Sequence, residues 1–238
     1  MRLDKFLSNA GFGSRSDVKK IIKSKRISVN DIIQINVGMT IDPNRDTVRL
    51  DSVPIDYEEF HYFLLNKPSG FLSATSDKSE NTVLDLFESE RLKDLFPVGR
   101  LDKDTVGLLL VTDNGPLAHA LLSPKRHVEK EYYAHIEGIV TKETIQKFQE
   151  GIELSIEFTA LPAKLEIEEV NPETNTSKVY ITIQEGKFHQ IKRMFERVNM
   201  KVTFLERIRM KNLRLDPLLN RGEYRKLTAD EINDLTRK

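Results

Sequence analysis

Apolar residues recur along this chain with two different periods, helical at the start and alternating or continuous over most of the remainder. Leu3, Phe6, Leu7 and Ala10 stand at i, i+3, i+4 and i+7, one face of a helix. Gly11 suits the position just past its C-terminus. Ser14-Arg15-Ser16-Asp17 reads as a capping box that opens a second helix. Val18, Ile21 and Ile22 form its apolar face, while Lys19, Lys20, Lys23, Lys25 and Arg26 fall mostly elsewhere and make a basic side. Ile27 to Asp31 follow as a short alternating strand and a turn. Asp51 to Glu59 is acidic, contains a proline and reads as a linker. The pattern predicts a small module over residues 1–58 and a larger domain over 59–238, both within the range of natural domain sizes.

In the larger part, Tyr62 to Asn66 predicts a strand ended by the turn signal Lys67-Pro68-Ser69-Gly70. Leu108 to Thr112 is wholly apolar, as a central strand is, and Tyr132 to Ile136 predicts another. Thr141 caps a helix running through Phe148, with Gly151 beyond its end. Leu165 to Val170 and Val179 to Gln184 flank Asn171 to Thr176 as a hairpin. Ile191, Met194, Phe195 and Val198 give a helix face, and Thr228 to Glu231 opens a last helix. Strands outnumber helices, so the fold class is α+β with a mixed, mostly antiparallel sheet flanked by helices. There is no internal repeat and no low-complexity tract.

Composition bounds the class. The chain is 39% hydrophobic and 31% charged, enough for a proper core. It has no cysteine, which excludes disulfides and thiolate metal sites. Its start lacks the apolar core of a signal peptide, and no apolar run approaches the roughly 20 residues that span a bilayer. A cytoplasmic protein with no membrane contact is the expectation. The net charge is zero but unevenly spread. Arg2 to Arg26 holds eight basic and two acidic residues, net +6; Glu137 to Glu185 is net −6; Gly186 to Lys226 is net +8. Two basic blocks around an acidic one are either solvated helix faces or the electrostatic footprint of a nucleic-acid partner.

Three places could carry chemistry. Gly99-Arg100-Leu101-Asp102 leads into the apolar run Gly107 to Thr112, placing a carboxylate and a guanidinium on a loop held by the core. By itself Asp102 reads first as a turn residue or a cap. Asp104 makes an Asp-x-Asp pair that hints at a divalent metal, although no EF-hand spacing follows. Lys192 falls in the first turn of the helix that begins near His189 or Gln190, where a cation opposes the helix dipole at a cost of a few tenths to ~1 kcal/mol. It calls for an anionic partner: an RNA phosphate, Asp102, or Glu196 one turn on. Tyr132 and Tyr133 adjoin in a strand and face opposite sides. One belongs to the core; the other either joins it or offers a ring to an unpaired base.

Two resemblances gather these features. Arg2 to Leu7, Ser14-Arg15-Ser16 and Arg26 to Asn30 resemble the S4-type RNA-binding domain, with Asp31 standing where that family often has Gly. Its RNA contacts lie on the second helix and the following turn, which implies Arg2, Lys5, Ser14, Arg15, Lys19, Lys20, Lys23 and Arg26 as RNA-binding. Behind it, Gly99-Arg100-Leu101-Asp102-x-Asp104-Thr105-x-Gly107-Leu108, Lys130-x-Tyr132 and Glu185-Gly186-Lys187-x-His189-Gln190-x-Lys192-Arg193-Met194 resemble the RsuA family of pseudouridine synthases. Leu64 to Gly70 and Gly222 to Thr228 extend the match to nearly the whole chain.

The resemblance implies that Asp102 is the catalytic aspartate of a uridine-to-pseudouridine isomerisation, with Tyr132 against the uracil and Lys192 paired to Asp102. It further implies that Arg100 fills the space left by the flipped nucleotide, and that Leu101, Lys130, Ile191 and Arg193 join it in binding substrate. Flipping is required because the glycosidic bond is shielded in a stacked helix. No cofactor or metal is implied. His189-Gln190-Ile191-Lys192-Arg193-Met194-Phe195 is closer to the small-subunit rRNA enzymes than to the large-subunit ones, so the expected partner is 16S rRNA, free or in a partly assembled subunit, and the protein a monomer. The alternatives are a 23S rRNA isomerase of the same family, a non-catalytic S4 assembly factor, and a metal-dependent RNA hydrolase using Asp102 and Asp104.

Overall fold

The N-terminal periodicity becomes helix where it predicts one. In the computed structural model, which describes residues 1–87 and 94–237, α1 runs Leu3–Asn9 and α2 Arg15–Lys23. Ser14 caps α2, and Asp17 at the third helical position returns the bond to the Ser14 amide. Four short antiparallel strands follow, β1 Ile27–Val29, β2 Ile32–Ile33, β3 Val48–Leu50 and β4 Val53–Pro54, in the order β2-β1-β3-β4. Leu3, Phe6, Leu7, Val18, Ile22, Ile27 and Val29 close a core of their own.

Two features of this unit differ from a plain reading of the chain. The segment read as a linker is structural: Asp51 and Ser52 turn the chain between β3 and β4, the Ile55 amide donates to the Val48 carbonyl at 2.9 Å, and Tyr57 stacks on Phe6 at 4.8 Å. The turn that lacks its glycine still forms. Asn30 and Asp31 both take left-handed φ, 51° and 64°, as a two-residue hairpin of this kind requires, and Asn and Asp are the residues other than Gly that tolerate it.

The chain divides into two compact units, Met1–His61 making up nearly all of this one and Tyr62–Leu86 with Phe96 onward the other. In the second, β5 spans Tyr62–Lys67, β6 Phe96–Pro97, β7 Val106–Thr112, α3 Gly115–Leu122, β8 Lys130–Glu137 and α4 Lys142–Glu150. A small hairpin of β9 Glu153–Ser155 and β10 Phe158–Thr159 precedes the long hairpin of β11 Lys164–Asn171 and β12 Thr176–Ile183. Then come α5 Gln190–Glu196, β13 Lys201–Met210, β14 Leu213–Arg214, β15 Tyr224–Lys226 and α6 Ala229–Thr236.

The main sheet is ordered β11-β12-β8-β13-β7-β5-β15, with β14 added to β13 and β6 to β7. Among the described residues its one parallel pair is β13 with β7; the others are antiparallel. All seven residues of β7 are buried, as its apolar run requires. Gly107 makes the parallel contact possible: its φ is +96°, and a Cβ there would lie 2.4 Å from the Arg207 carbonyl oxygen.

Three elements escape the apolar pattern. Gly115-Pro116 looks like a break, yet proline is tolerated in the first turn of α3, which Asn114 caps. β13 alternates poorly because two register shifts interrupt it, between Val202 and Phe204 and between Arg207 and Arg209. α5 ends at Glu196, short of Val198, and the chain turns through Asn199 at φ 58°.

Candidate active site

The loop from β6 to β7 is fastened from beneath. Val98 donates to the Leu110 carbonyl at 2.7 Å, and Gly99 turns the chain with φ +77°. Leu101 is buried, and its amide and carbonyl both bond the Ser73 hydroxyl, at 3.0 and 2.9 Å. The Thr105 amide donates back to the Asp102 carbonyl at 3.1 Å. Lys67, at the end of β5 and fully buried, donates to the main-chain carbonyls of Pro68, Asp102, Lys103 and Thr105 at 2.9–3.2 Å. Burial pushes its ammonium down to about 8, with Asp104 and Asp102 acting the other way.

The carboxylate so held faces α5. Lys192 Nζ lies 3.2 Å from Asp102 Oδ2 and 2.7 Å from Asp104 Oδ1. Lys192 sits in the first turn of α5, where there is no acidic residue; the negative charge comes instead from a loop some ninety positions earlier in the chain. Burial opposes the charge on Lys192, but the bond to Asp104 and the charge of Asp102 outweigh it and hold its pKa above the ordinary lysine value. Burial likewise raises Asp104, and the bond to Lys192 with its charge more than reverses this, keeping the carboxyl below its usual range. Lys192 Nζ therefore spans the Asp-x-Asp pair. His189, in the left-handed conformation at φ 49°, brings Nε2 to 3.6 Å from Asp102 Oδ1.

These groups open on a cleft of about 430 Å³. Arg100, Leu101, Asp102, Tyr132, Ile191 and Lys192 line it together, joined by Ile183, Lys187, His189 and Leu205. Tyr132 is almost buried on β8. Tyr133 turns to the opposite face, among Tyr180, His135 and Phe204, so the strand pair resolves with Tyr132 at the cleft. Lys130, two residues before Tyr132, is buried and lines an adjoining cavity shared by Arg100 and Tyr132. It donates to the Val128 carbonyl at 2.9 Å, and burial, reinforced by Arg207, pushes it down to about 8. Arg193 does not join the cleft: it projects from the other side of α5 and donates to the Leu154 carbonyl on β9 at 3.2 Å.

Gln190 ties the entrance to α5, accepting from the Lys187 amide at 3.0 Å and donating to Glu185 at 2.8 Å. Lys67, Ser73, His189, Ile183 and Leu205 are the residues that sequence reasoning left without a role here. A lysine beside a proline at the end of an apolar strand was the visible signal for Lys67.

In the N-terminal unit, Lys5, Arg15, Lys19, Lys20 and Lys23 are exposed on α1 and α2. The others have local partners. Arg2 pairs with Asp4 at 2.9 Å, Arg26 pairs with Asp51, and the Ser14 hydroxyl is engaged in the cap of α2.

Comparison with known proteins places this architecture. A model of the RNA pseudouridylate synthase family matches residues 61–197, and a model of the S4 domain matches residues 1–46; the chain belongs to the RNA pseudouridylate synthase family and carries an S4 domain ahead of the synthase domain. Within that family it is an enzyme of the RsuA/RluB type. It is 44% identical to the uncharacterized RNA pseudouridine synthase YtzG of Bacillus subtilis over 98% of this chain and 97% of that one. It is 38% identical to the ribosomal small subunit pseudouridine synthase A of Yersinia pestis (98% and 97%) and 36% identical to the ribosomal large subunit pseudouridine synthase B of Bacillus subtilis (98% and 95%). A crystal structure of a pseudouridylate synthase superposes with a TM-score of 0.68, at 35% identity over 99% of this chain and all of the other.

Proposed function

We propose that this protein isomerises one uridine of 16S rRNA to pseudouridine, with Asp102 as the catalytic carboxylate. The observation that carries the reading is the Asp102–Lys192 ion pair at 3.2 Å, set in a cleft walled by Tyr132 and rimmed by Arg100. Lys192 aims the carboxylate. Asp102 attacks or deprotonates the bound nucleoside, the bond from C1′ to N1 breaks, the uracil turns, and C1′ rejoins it through C5 as any bond to Asp102 is released. The proton on C5 is lost and N1 gains one, so the atoms balance with no redox partner. Tyr132 packs against the uracil, and Arg100 takes the place that the flipped nucleotide vacates. Leu101 and Ile191 supply apolar wall, and Lys130 acts from the adjoining cavity.

Residues 1–58 are the RNA-holding module, through Lys5, Arg15, Lys19, Lys20 and Lys23. The target in the small subunit is favoured by the His189 to Phe195 segment and by the likeness to a small-subunit enzyme. We propose that the protein acts in the cytoplasm and as a monomer; no helix among the described residues is long and apolar enough to cross a membrane.

Pseudouridine mapping in rRNA from cells with and without the gene tests this. One 16S position lost with the gene and restored by the purified protein is the expected result. A lost 23S position would move the target to the large subunit, as in the relative named for that subunit. No lost position in either rRNA would overturn the assignment of rRNA.

A further inference from the structure

Among the described residues Phe188 is the one exposed phenylalanine. It is a large aromatic residue with 75% of its surface exposed, although burial is the usual fate of such a ring. Its ring lies flat on the imidazole of His189, with centroids 3.8 Å apart and planes 17° from parallel. His189 itself takes the left-handed conformation, which Asn, Asp and His adopt more readily than other L-residues, and it caps α5 with no side-chain bond. The left-handed turn places the imidazole at the cleft, which His189 lines, and leaves the exposed phenyl ring stacked against it.

Position decides the ligand. His189 links the two: its Nε2 edge lies 3.6 Å from Asp102 Oδ1, and its face carries the phenyl ring with centroids 3.8 Å apart. The ring separation is close to the spacing of stacked bases, about 3.4 Å. One imidazole therefore separates the Phe188 ring from the group that must meet the target uridine. Lys187, the residue before it, and Arg100 line the cleft that His189 also lines, cations that suit an RNA backbone.

We propose that Phe188, backed by His189, is a stacking platform for the unpaired base next to the uridine that enters the cleft. This rests on the reading of the protein as an RNA uridine isomerase and adds to it a subsite that recognises the flanking nucleotide. Aromatic faces accept bases of any sequence, so the subsite selects for an unpaired neighbour and not for its identity.

The test has two arms. In the first, protein bound to full-length 16S and 23S rRNA transcripts is irradiated with ultraviolet light and digested, and peptides carrying nucleotide adducts are mapped. An adduct on Phe188 is expected. Adducts elsewhere with none on Phe188 would overturn the platform alone, and no adducts anywhere would overturn the RNA reading with it. In the second arm, Phe188→Ala should raise KM roughly tenfold with kcat nearly unchanged. Phe188→Leu should do the same, Phe188→Trp should restore the wild-type KM, and the thermal midpoint should stay put in all three. Wild-type KM in Phe188→Ala, or rescue by leucine, would overturn the platform while wild-type turnover leaves the isomerase reading intact.

Discussion

Lys67 Nζ lies beneath the loop that carries Asp102 and donates to the Asp102 carbonyl oxygen at 3.2 Å. With three more carbonyls on the same ammonium, one buried cation fixes the backbone of the whole turn. Replacing it with methionine keeps the volume and removes every donor. Lys67→Met is expected to lower the unfolding free energy by about 2–4 kcal/mol, read from urea titration, and turnover should fall with it. Unchanged stability would mean that the loop carries its own shape.

The same lysine couples stability to pH. Its folded pKa of about 8 lies below the ordinary 10.5, so between those values the unfolded chain binds the proton that the folded one has released. Stability must then rise with pH across that interval. Lys130 contributes in the same direction. The rise should be smaller in Lys67→Met than in the wild type; an equal or steeper rise in the variant would contradict the buried charge.

Asp102→Asn retains the size of the side chain and removes its charge. Pseudouridine formation should fall at least about a thousandfold, while RNA affinity measured by filter binding stays close to that of the wild type. Wild-type turnover in this variant would remove Asp102 from the chemistry.

Lys192 holds two carboxylates, and its substitutions should separate charge from shape. Lys192→Met is expected to lose about a hundredfold or more in kcat, and the Asp104 carboxyl, now without its partner, should titrate at higher pH by NMR. Lys192→Arg offers a fork able to reach both carboxylates and should stay within about tenfold of the wild type. An Asp104 titration that does not move in Lys192→Met would show that the pair is not held in solution.

On α2 the exposed cations can be removed without touching the core residues Val18 and Ile22. Replacing Lys19, Lys20 and Lys23 with alanine should weaken RNA binding at low salt and flatten its salt dependence, by about 0.7–0.9 in log–log slope for each phosphate no longer neutralised. The thermal midpoint should not fall. An unchanged slope would take α2 out of the RNA-binding surface.

Much of the frame is local and readable as such. Ser14 and Asp17, Thr141 with Gly151, and Thr228 with Glu231 mark helix ends because a cap needs only neighbouring residues. The continuous apolar run of β7 marks a central strand because burial on both faces leaves no polar position. β13 is not readable, since its register shifts are set by the strands beside it, and neither is α3, since a proline in a first turn looks like one in a loop. The Asp51 to Glu59 segment looks like a linker for the same reason: its strand exists only by pairing with β3.

The site divides along the same line. Residue types and their order are legible in the chain itself: an aspartate on a loop entering a core strand, a lysine misplaced for its helix dipole, a tyrosine two residues after a lysine, basic helices ahead of them. Their partners come from the fold. It set Lys192 between Asp102 and Asp104, turned Arg193 away to the Leu154 carbonyl, sank Lys67 beneath the loop and left Phe188 in the open. The difference is one of range. Caps and amphipathic faces are made between residues a few positions apart, whereas an ion pair between positions 102 and 192 depends on the parallel pairing of β7 and β13, whose close approach depends on Gly107.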